Sequence, residues 1–167
     1  MAVTTRLLTV LVAVVMALVT GCGAEAPKLS RGEPPPPFTL ERLAGGEARF
    51  PSQFDGQIVA VRFWADWCPF CESEMQAIEP VYQRYRDQGL VILAINVRQD
   101  RGTAQDFIDK LNIAYDTLLD PEGDVARDYG VLGLPTTFLV DRSGRLHTRI
   151  IGESTPEVFE AIVQELL

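Results

Sequence analysis

Cys68 and Cys71 are separated by Pro69 and Phe70 and preceded by Trp67. A spacing of three is nearly one helical turn, so two thiols placed in this way can close a short disulfide and reopen it by exchange with another sulfur. The pair follows a short apolar run, Ile58 to Trp64, and precedes Met75, Ile78, Val81, Tyr82 and Tyr85, which recur at helical spacing. The thiols therefore fall where a strand gives way to a helix. Unpaired N–H groups and the macrodipole favour an anion there, which makes Cys68 the expected nucleophile and Cys71 the expected resolving thiol. Other uses of the pair are a static disulfide, half of an intermolecular metal cluster, or a copper(I) site, since two thiolates suit a soft ion.

The rest of the composition narrows these options. With three cysteines and one histidine, His147, neither a four-thiolate zinc site nor the two-cysteine, two-histidine kind can be assembled within one chain. Only a site using all four residues is arithmetically possible, and His147 reads as a solvated residue of a late strand. The 167 residues, 47% hydrophobic and 23% charged, suit one domain of ordinary size with a real core. A net charge of -8 with no basic stripe repels phosphate backbones, so nucleic acid is not an expected partner.

The elements that must position the pair follow from patterning. Ile58 to Trp64 and Leu90 to Val97 are apolar and β-rich, as strands buried on both faces are. Phe38 to Leu40 and Ala48 to Phe50 flank Gly45-Gly46, which suits a hairpin. Thr103 is expected to cap a helix carrying Phe107, Ile108 and Leu111, and a short helix is expected over 122–129. Thr136 to Val140 and Leu146 to Ile151 read as strands joined across Asp141 to Gly144. Ser154-Thr155-Pro156-Glu157 opens a last helix with Val158, Phe159, Ile162, Val163, Leu166 and Leu167 on its apolar face. These elements make an α/β sandwich with a mixed sheet.

The N-terminal part has a different character. Arg6 precedes the apolar run Leu7 to Val19, which at helical rise covers roughly 20 Å and so suits an export signal better than a spanning helix. It ends in Val19-Thr20-Gly21-Cys22, which resembles the bacterial lipobox and implies lipid on Cys22, leaving Cys68 and Cys71 as the free pair. Gly23, in place of the aspartate that would favour inner-membrane retention, hints at the outer membrane. From Gly23 to Pro37 the chain is small, charged and proline-rich, as an extended tether is. The expected organisation is a signal peptide over 1–21, a lipidated cysteine and tether over 22–37, and a folded domain over 38–167.

From about Pro36 to Leu167 the chain resembles the TlpA/ResA-type thiol-disulfide oxidoreductases of the thioredoxin superfamily. The resemblance rests on Val61-Arg62-Phe63-Trp64-Ala65-Asp66-Trp67-Cys68-Pro69-Phe70-Cys71, on Asp120-Pro121-Glu122-Gly123, and on Tyr129-Gly130-Val131-Leu132-Gly133-Leu134-Pro135-Thr136-Thr137-Phe138-Leu139-Val140-Asp141. It implies a thioredoxin-like fold, a central mixed β-sheet flanked by helices, with an added N-terminal β-hairpin. It also implies that Pro135 is cis and lies beside the cysteines, with Leu134 offering backbone groups to an extended substrate. Trp67, Pro69 and Phe70 are expected to complete a substrate-facing rim. Glu74 matches an acidic position of many reducing members, where a carboxylate can hold or relay the proton that exchange must move; the alternative is a solvated acid in the first helical turn, the reading assigned to Glu72.

Two departures stand out. Arg62 occupies the place of the buried aspartate of thioredoxins, so a guanidinium there must find an acceptor or reach solvent. Gln76 replaces the helix proline often found five residues after the second cysteine, while Pro80 comes later. The expected activity is that of an envelope-anchored thiol-disulfide oxidoreductase that reduces extracytoplasmic protein disulfides, as in cytochrome c maturation. It needs no organic cofactor, and a membrane protein passing electrons outward would recharge it. The rivals are a thiol peroxidase, disfavoured by Ala65 where a peroxiredoxin places a hydroxyl, and a copper(I)-handling lipoprotein using the same cysteines.

Overall fold

The computed structural model describes residues 29–167; the export segment and Cys22 lie outside the described residues. The strands are β1 (Phe38–Arg42), β2 (Glu47–Phe50), β3 (Ile58–Trp64), β4 (Leu90–Val97), β5 (Asp116–Asp120), β6 (Thr136–Val140) and β7 (Leu146–Ile151). The helices are α1 (Cys71–Tyr85), α2 (Arg101–Ile108), α3 (Asp124–Asp128) and α4 (Pro156–Leu166). One seven-stranded sheet runs in the order β2-β1-β5-β4-β3-β6-β7. β4 is parallel to both β3 and β5, while β6 is antiparallel to β3. The expected N-terminal hairpin forms, with Phe38 opposite Phe50, and joins the sheet edge through Glu41 and Arg42 against Leu119 and Leu118. This is the thioredoxin-like α/β architecture that the sequence implied.

All seven residues of β3 are buried, and their alternation divides the core in two. Ile58, Ala60 and Trp64 face one way with α1, α4 and the cysteines, while Val59, Val61 and Phe63 face the other with Phe38, Phe50, Ala126, Tyr129 and Phe138. By the same alternation Arg62 belongs to the first, helix-covered face. Pro80 sits within α1 and the helix runs on through it.

Several local expectations are corrected. β5 was not read from the sequence: its two leucines are flanked by acids, and its burial comes from lying between β1 and β4. The cap of α2 is Asp100, whose Oδ1 accepts from the Thr103 N–H at 2.9 Å, so the helix starts ahead of Thr103. The short helix is confined to Asp124–Asp128 because Gly123, at φ +70°, forms its N-cap. On α4, capped by Thr155, Val158 and Leu167 are exposed and the packed face is Phe159, Ile162, Val163 and Leu166. His147 is half-buried rather than solvated, with Nε2 3.2 Å from Glu165 Oε2. No helix among the described residues is long and apolar enough to cross a membrane.

Residues 34–37 belong to no helix or strand, as the proline run suggests, and follow a turn at 30–33 in which the Glu33 N–H donates to the Ser30 carbonyl at 3.2 Å, but the segment is not free. The Gly32 N–H donates to the Leu146 carbonyl at 2.7 Å, and the Leu146 N–H donates to the Glu33 carbonyl at 2.9 Å. Pro35 is buried, Leu29 packs on the second core half, and the Tyr129 hydroxyl donates to the Pro36 carbonyl at 2.9 Å. Burial pushes the Tyr129 phenol well above its ordinary range, so it stays a donor. Docking of this segment therefore hangs partly on one hydroxyl. Tyr129→Phe should cost about 1 kcal/mol in urea unfolding and should speed proteolytic cleavage within 29–37; unchanged cleavage would show that the backbone bonds to Leu146 suffice.

Candidate active site

β3 ends at Trp64, and the chain turns through residues 65–70 before α1 begins at Cys71. The Cys68 N–H donates to the Ala65 carbonyl at 3.2 Å and the Cys71 N–H to the Cys68 carbonyl at 3.1 Å, so the turn is closed by its own backbone. Cys68 and Cys71 are joined as a disulfide with their Cα atoms 5.4 Å apart. Cys71 is thus the first helical residue and Cys68 lies ahead of the first turn. Both are buried, at 2% and 0% exposure, while Trp67 and Phe70 stand out at 67% and 50%. Pro69 is exposed as well. Trp64 lies beneath the pair and stacks on Phe107 with ring centroids 4.8 Å apart.

The turn is braced from β4 by a residue that the sequence reading passed over. Gln99 Oε1 accepts from the Asp66 N–H and from Asn96 Nδ2, each at 2.9 Å, and Gln99 Nε2 donates to the Asp66 carboxylate. This clasp holds the chain two residues ahead of Cys68. A lone glutamine after a strand carries no sequence signal of such a role.

The structure brings Pro135 and Leu134 to the start of β6, and the peptide bond between them is cis, as the resemblance implied. Among the described residues, neither the N–H nor the carbonyl of Leu134 has a backbone partner. A groove of about 310 Å³ adjoins the loop, lined chiefly by Trp67, Val97, Arg98, Val131, Leu132 and Leu134. Leu132, at 97% exposure, was not singled out from the sequence, and nothing in a lone leucine of a loop could have done so.

Arg62 and Glu74 answer each other. Their side chains are both 1% exposed, with Nη2 and Oε2 2.8 Å apart. Nη1 donates to Glu74 Oε1 at 2.9 Å and to Thr137 Oγ1 at 3.2 Å. The Nη2–Oε2 contact is a close ion pair that is not aligned as a hydrogen bond. Ser154 completes the set, its Oγ and N–H donating to Glu74 Oε1 at 2.9 and 3.2 Å. Glu74 is therefore not a solvated acid, and the guanidinium of Arg62 has found its acceptor inside the protein. The network ties β3, α1, β6 and the loop after β7 together. That loop also touches the cis-proline, through the Gly152 N–H and the Pro135 carbonyl at 2.9 Å.

Such a pair makes single substitutions expensive. Glu74→Gln or Arg62→Met alone leaves a charge buried and uncompensated and should cost about 3–5 kcal/mol, whereas the double apolar variant Arg62→Met/Glu74→Leu should fall near the wild type. Urea unfolding of the four proteins checks this; additive losses in the double variant would mean that the two side chains do not act as a pair.

Chemically, a buried disulfide under an exposed apolar rim can exchange with a sulfur delivered by an extended chain, the electrons being carried by the cysteines themselves. Among the described residues no group of three histidines, cysteines or acids is placed to hold a metal ion.

Comparison with known proteins agrees with this geometry. The family model described as AhpC/TSA matches residues 31–149. The thiol-disulfide oxidoreductase ResA of Geobacillus kaustophilus is 32% identical over 163 residues, covering 98% of this chain and 93% of that one. ResA of Bacillus cereus is 29% identical over 154 residues, covering 92% and 88%. A Chlorobium tepidum structure described as a thiol:disulfide interchange protein DsbE superposes with a TM-score of 0.75 at 30% identity, covering 83% of this chain and 96% of that one. Placed beside a cysteine pair already closed at the strand-to-helix turn, these likenesses show that the chain belongs to the AhpC/TSA family and, within it, to the ResA-like thiol-disulfide oxidoreductases of thioredoxin-like fold.

Proposed function

We propose that this enzyme is a lipid-anchored reductant of disulfides in extracytoplasmic proteins, with apocytochrome c thiols among the products it can supply. The observation that carries this reading is the buried Cys68–Cys71 disulfide beneath the exposed rim of Trp67, Pro69 and Phe70, beside the unpaired backbone of Leu134 and cis-Pro135. An extended, cysteine-bearing segment laid along Leu134 brings its sulfur to that rim. In the reduced enzyme the Cys68 thiolate attacks one sulfur of the target disulfide, forming a mixed disulfide and expelling the target's other sulfur as a thiolate. Cys71 then gives up its proton and attacks Cys68, which closes the Cys68–Cys71 bond and releases the second target thiolate. The target gains two electrons and the enzyme loses them.

Glu74 is the carboxylate that serves this exchange. It lies one helical turn after Cys71, and its bond to the Ser154 hydroxyl leads toward a cleft lined by Ser73, Glu153 and Thr155, a route by which the proton released by Cys71 reaches solvent. The direction of electron flow follows from what does not stabilise the reduced form. Pro69 and Phe70 carry no charge and the Arg62 guanidinium is engaged by Glu74, so the end of α1 is the chief stabiliser left to the Cys68 thiolate. A less stabilised reduced form means a lower potential and a better electron donor, about 30 mV for each 1.4 kcal/mol. An oxidising envelope cannot recharge such a protein, so a membrane dithiol donor must. The lipobox-like end of the export segment, with Cys22 lipidated, supports a position on the outer side of a bacterial membrane.

In Cys71→Ser, mixed disulfides should accumulate through Cys68, and in wild-type cells the pair should be mostly reduced by thiol trapping. Adducts formed through another residue, or a fully oxidised wild-type pair with a potential near the -120 mV of strong oxidants, would refute the assignment of roles or of direction. Cys22→Ser should abolish incorporation of labelled fatty acid; retained label would remove the lipid anchor from this reading.

A further inference from the structure

Arg98 is the first residue after β4, on the wall of the groove beside Trp67. Among the described residues it is the only one other than glycine at positive φ, at +56°. An L-residue is held in that region only when its surroundings impose it, and such positions gather at sites of function. Its N–H donates to the Asp120 carbonyl at 2.9 Å, and its side chain lies across Gly123. A Cβ at Gly123 would come within 2.6 Å of Arg98 Nε and 2.9 Å of its Cγ, so the glycine keeps open the space that the arginine stem occupies. The charge at the end of that stem is exposed and, among the described residues, meets no carboxylate. The other cation on the groove, Arg127, is paired with Asp124.

The groove itself is unusual for this chain. The protein carries a net charge of -8, yet none of the residues lining the groove is acidic. An apolar channel beside the cysteines, walled by Trp67, Leu132 and Leu134 and bordered on one side by an exposed guanidinium that meets no carboxylate among the described residues, is complementary to a segment that is apolar and carries a carboxylate. We infer that Arg98 is a specificity-determining residue, which selects extended, cysteine-bearing protein segments having an aspartate or glutamate close to the cysteine. This rests on the proposed exchange function and goes further by stating the charge of the substrate. The general negative charge of the protein works against such a substrate at long range, so the preference must come from this local cation and must weaken as salt is added.

The test uses the reduced enzyme and three peptides, each closed by one disulfide and identical except for Glu, Gln or Lys two positions from a cysteine. Each reduction rate is divided by the rate of the same peptide with dithiothreitol, which removes intrinsic differences between the disulfides. Wild type should favour the Glu peptide over the Lys peptide by about fivefold, mainly through KM, and the ratio should shrink at high salt. Arg98→Gln should bring the ratio close to one, and Arg98→Lys should keep most of the preference. Equal rates for the three peptides with wild type, or a preference that persists in Arg98→Gln, would overturn the role of Arg98 and leave the exchange function standing. Failure of the wild type to reduce any of the peptides would instead overturn the exchange function, and the selectivity with it.

Discussion

A buried guanidinium and a buried carboxylate hold this active site together. Arg62 enters from the middle of β3 and Glu74 from the first turn of α1, and both side chains are only 1% exposed. Two charges removed from solvent repay that cost only when each has the other and further donors or acceptors close by, which Thr137 and Ser154 supply. The consequence reaches well beyond the pair. The helix that carries Cys71, the strand that follows cis-Pro135 and the loop after β7 all meet at these two side chains, so the separation between the cysteines and the proline is set by a contact that tolerates little displacement.

Above this bracket the site is divided by exposure. The cysteines belong to the buried cluster that holds Trp64, Phe107 and Met75, and the face turned outward is a rim of Trp67, Pro69 and Phe70 continuing into the groove past Leu132. Large apolar side chains left in water mark contact surfaces when they are grouped, and these lie around the one reactive bond. A reaction partner is thus recognised over an area, while the chemistry is confined to two atoms that solvent hardly reaches. The Gln99 clasp on Asp66 serves the same end, since it steadies the backbone that presents Trp67.

Compared with the pattern of its family, this chain keeps the cysteine motif and the cis-proline but changes the charges around them. Arg62 stands where thioredoxins bury an aspartate, and its partner is the acid on α1 rather than solvent. A second cation, Arg98, stands on the wall of the groove at positive φ, its N–H donating to the Asp120 carbonyl and its stem lying across Gly123. One guanidinium is spent on structure, and the other is left exposed.

Much of the architecture was legible because the signals are local. The apolar runs of β3 and β4, the glycines at the hairpin turn, and the Thr155-Pro156 start of α4 depend on neighbours in sequence, and the motif from Val61 to Cys71 located the reactive pair by its place between strand and helix. β5 escaped because two leucines between acids are too short a run to show a period, and its burial is imposed by β1 and β4. The docking of residues 29–37 escaped because composition reports the conformation of a proline run but not the hydroxyl of Tyr129 waiting 93 positions away. The types and spacing of residues determined which atoms exchange electrons. Only the tertiary structure decided that Arg62 and Glu74 neutralise each other, that Gln99 steadies the turn, and that Arg98 faces the groove, since these contacts join residues whose approach is set by the packing of the sheet against its helices.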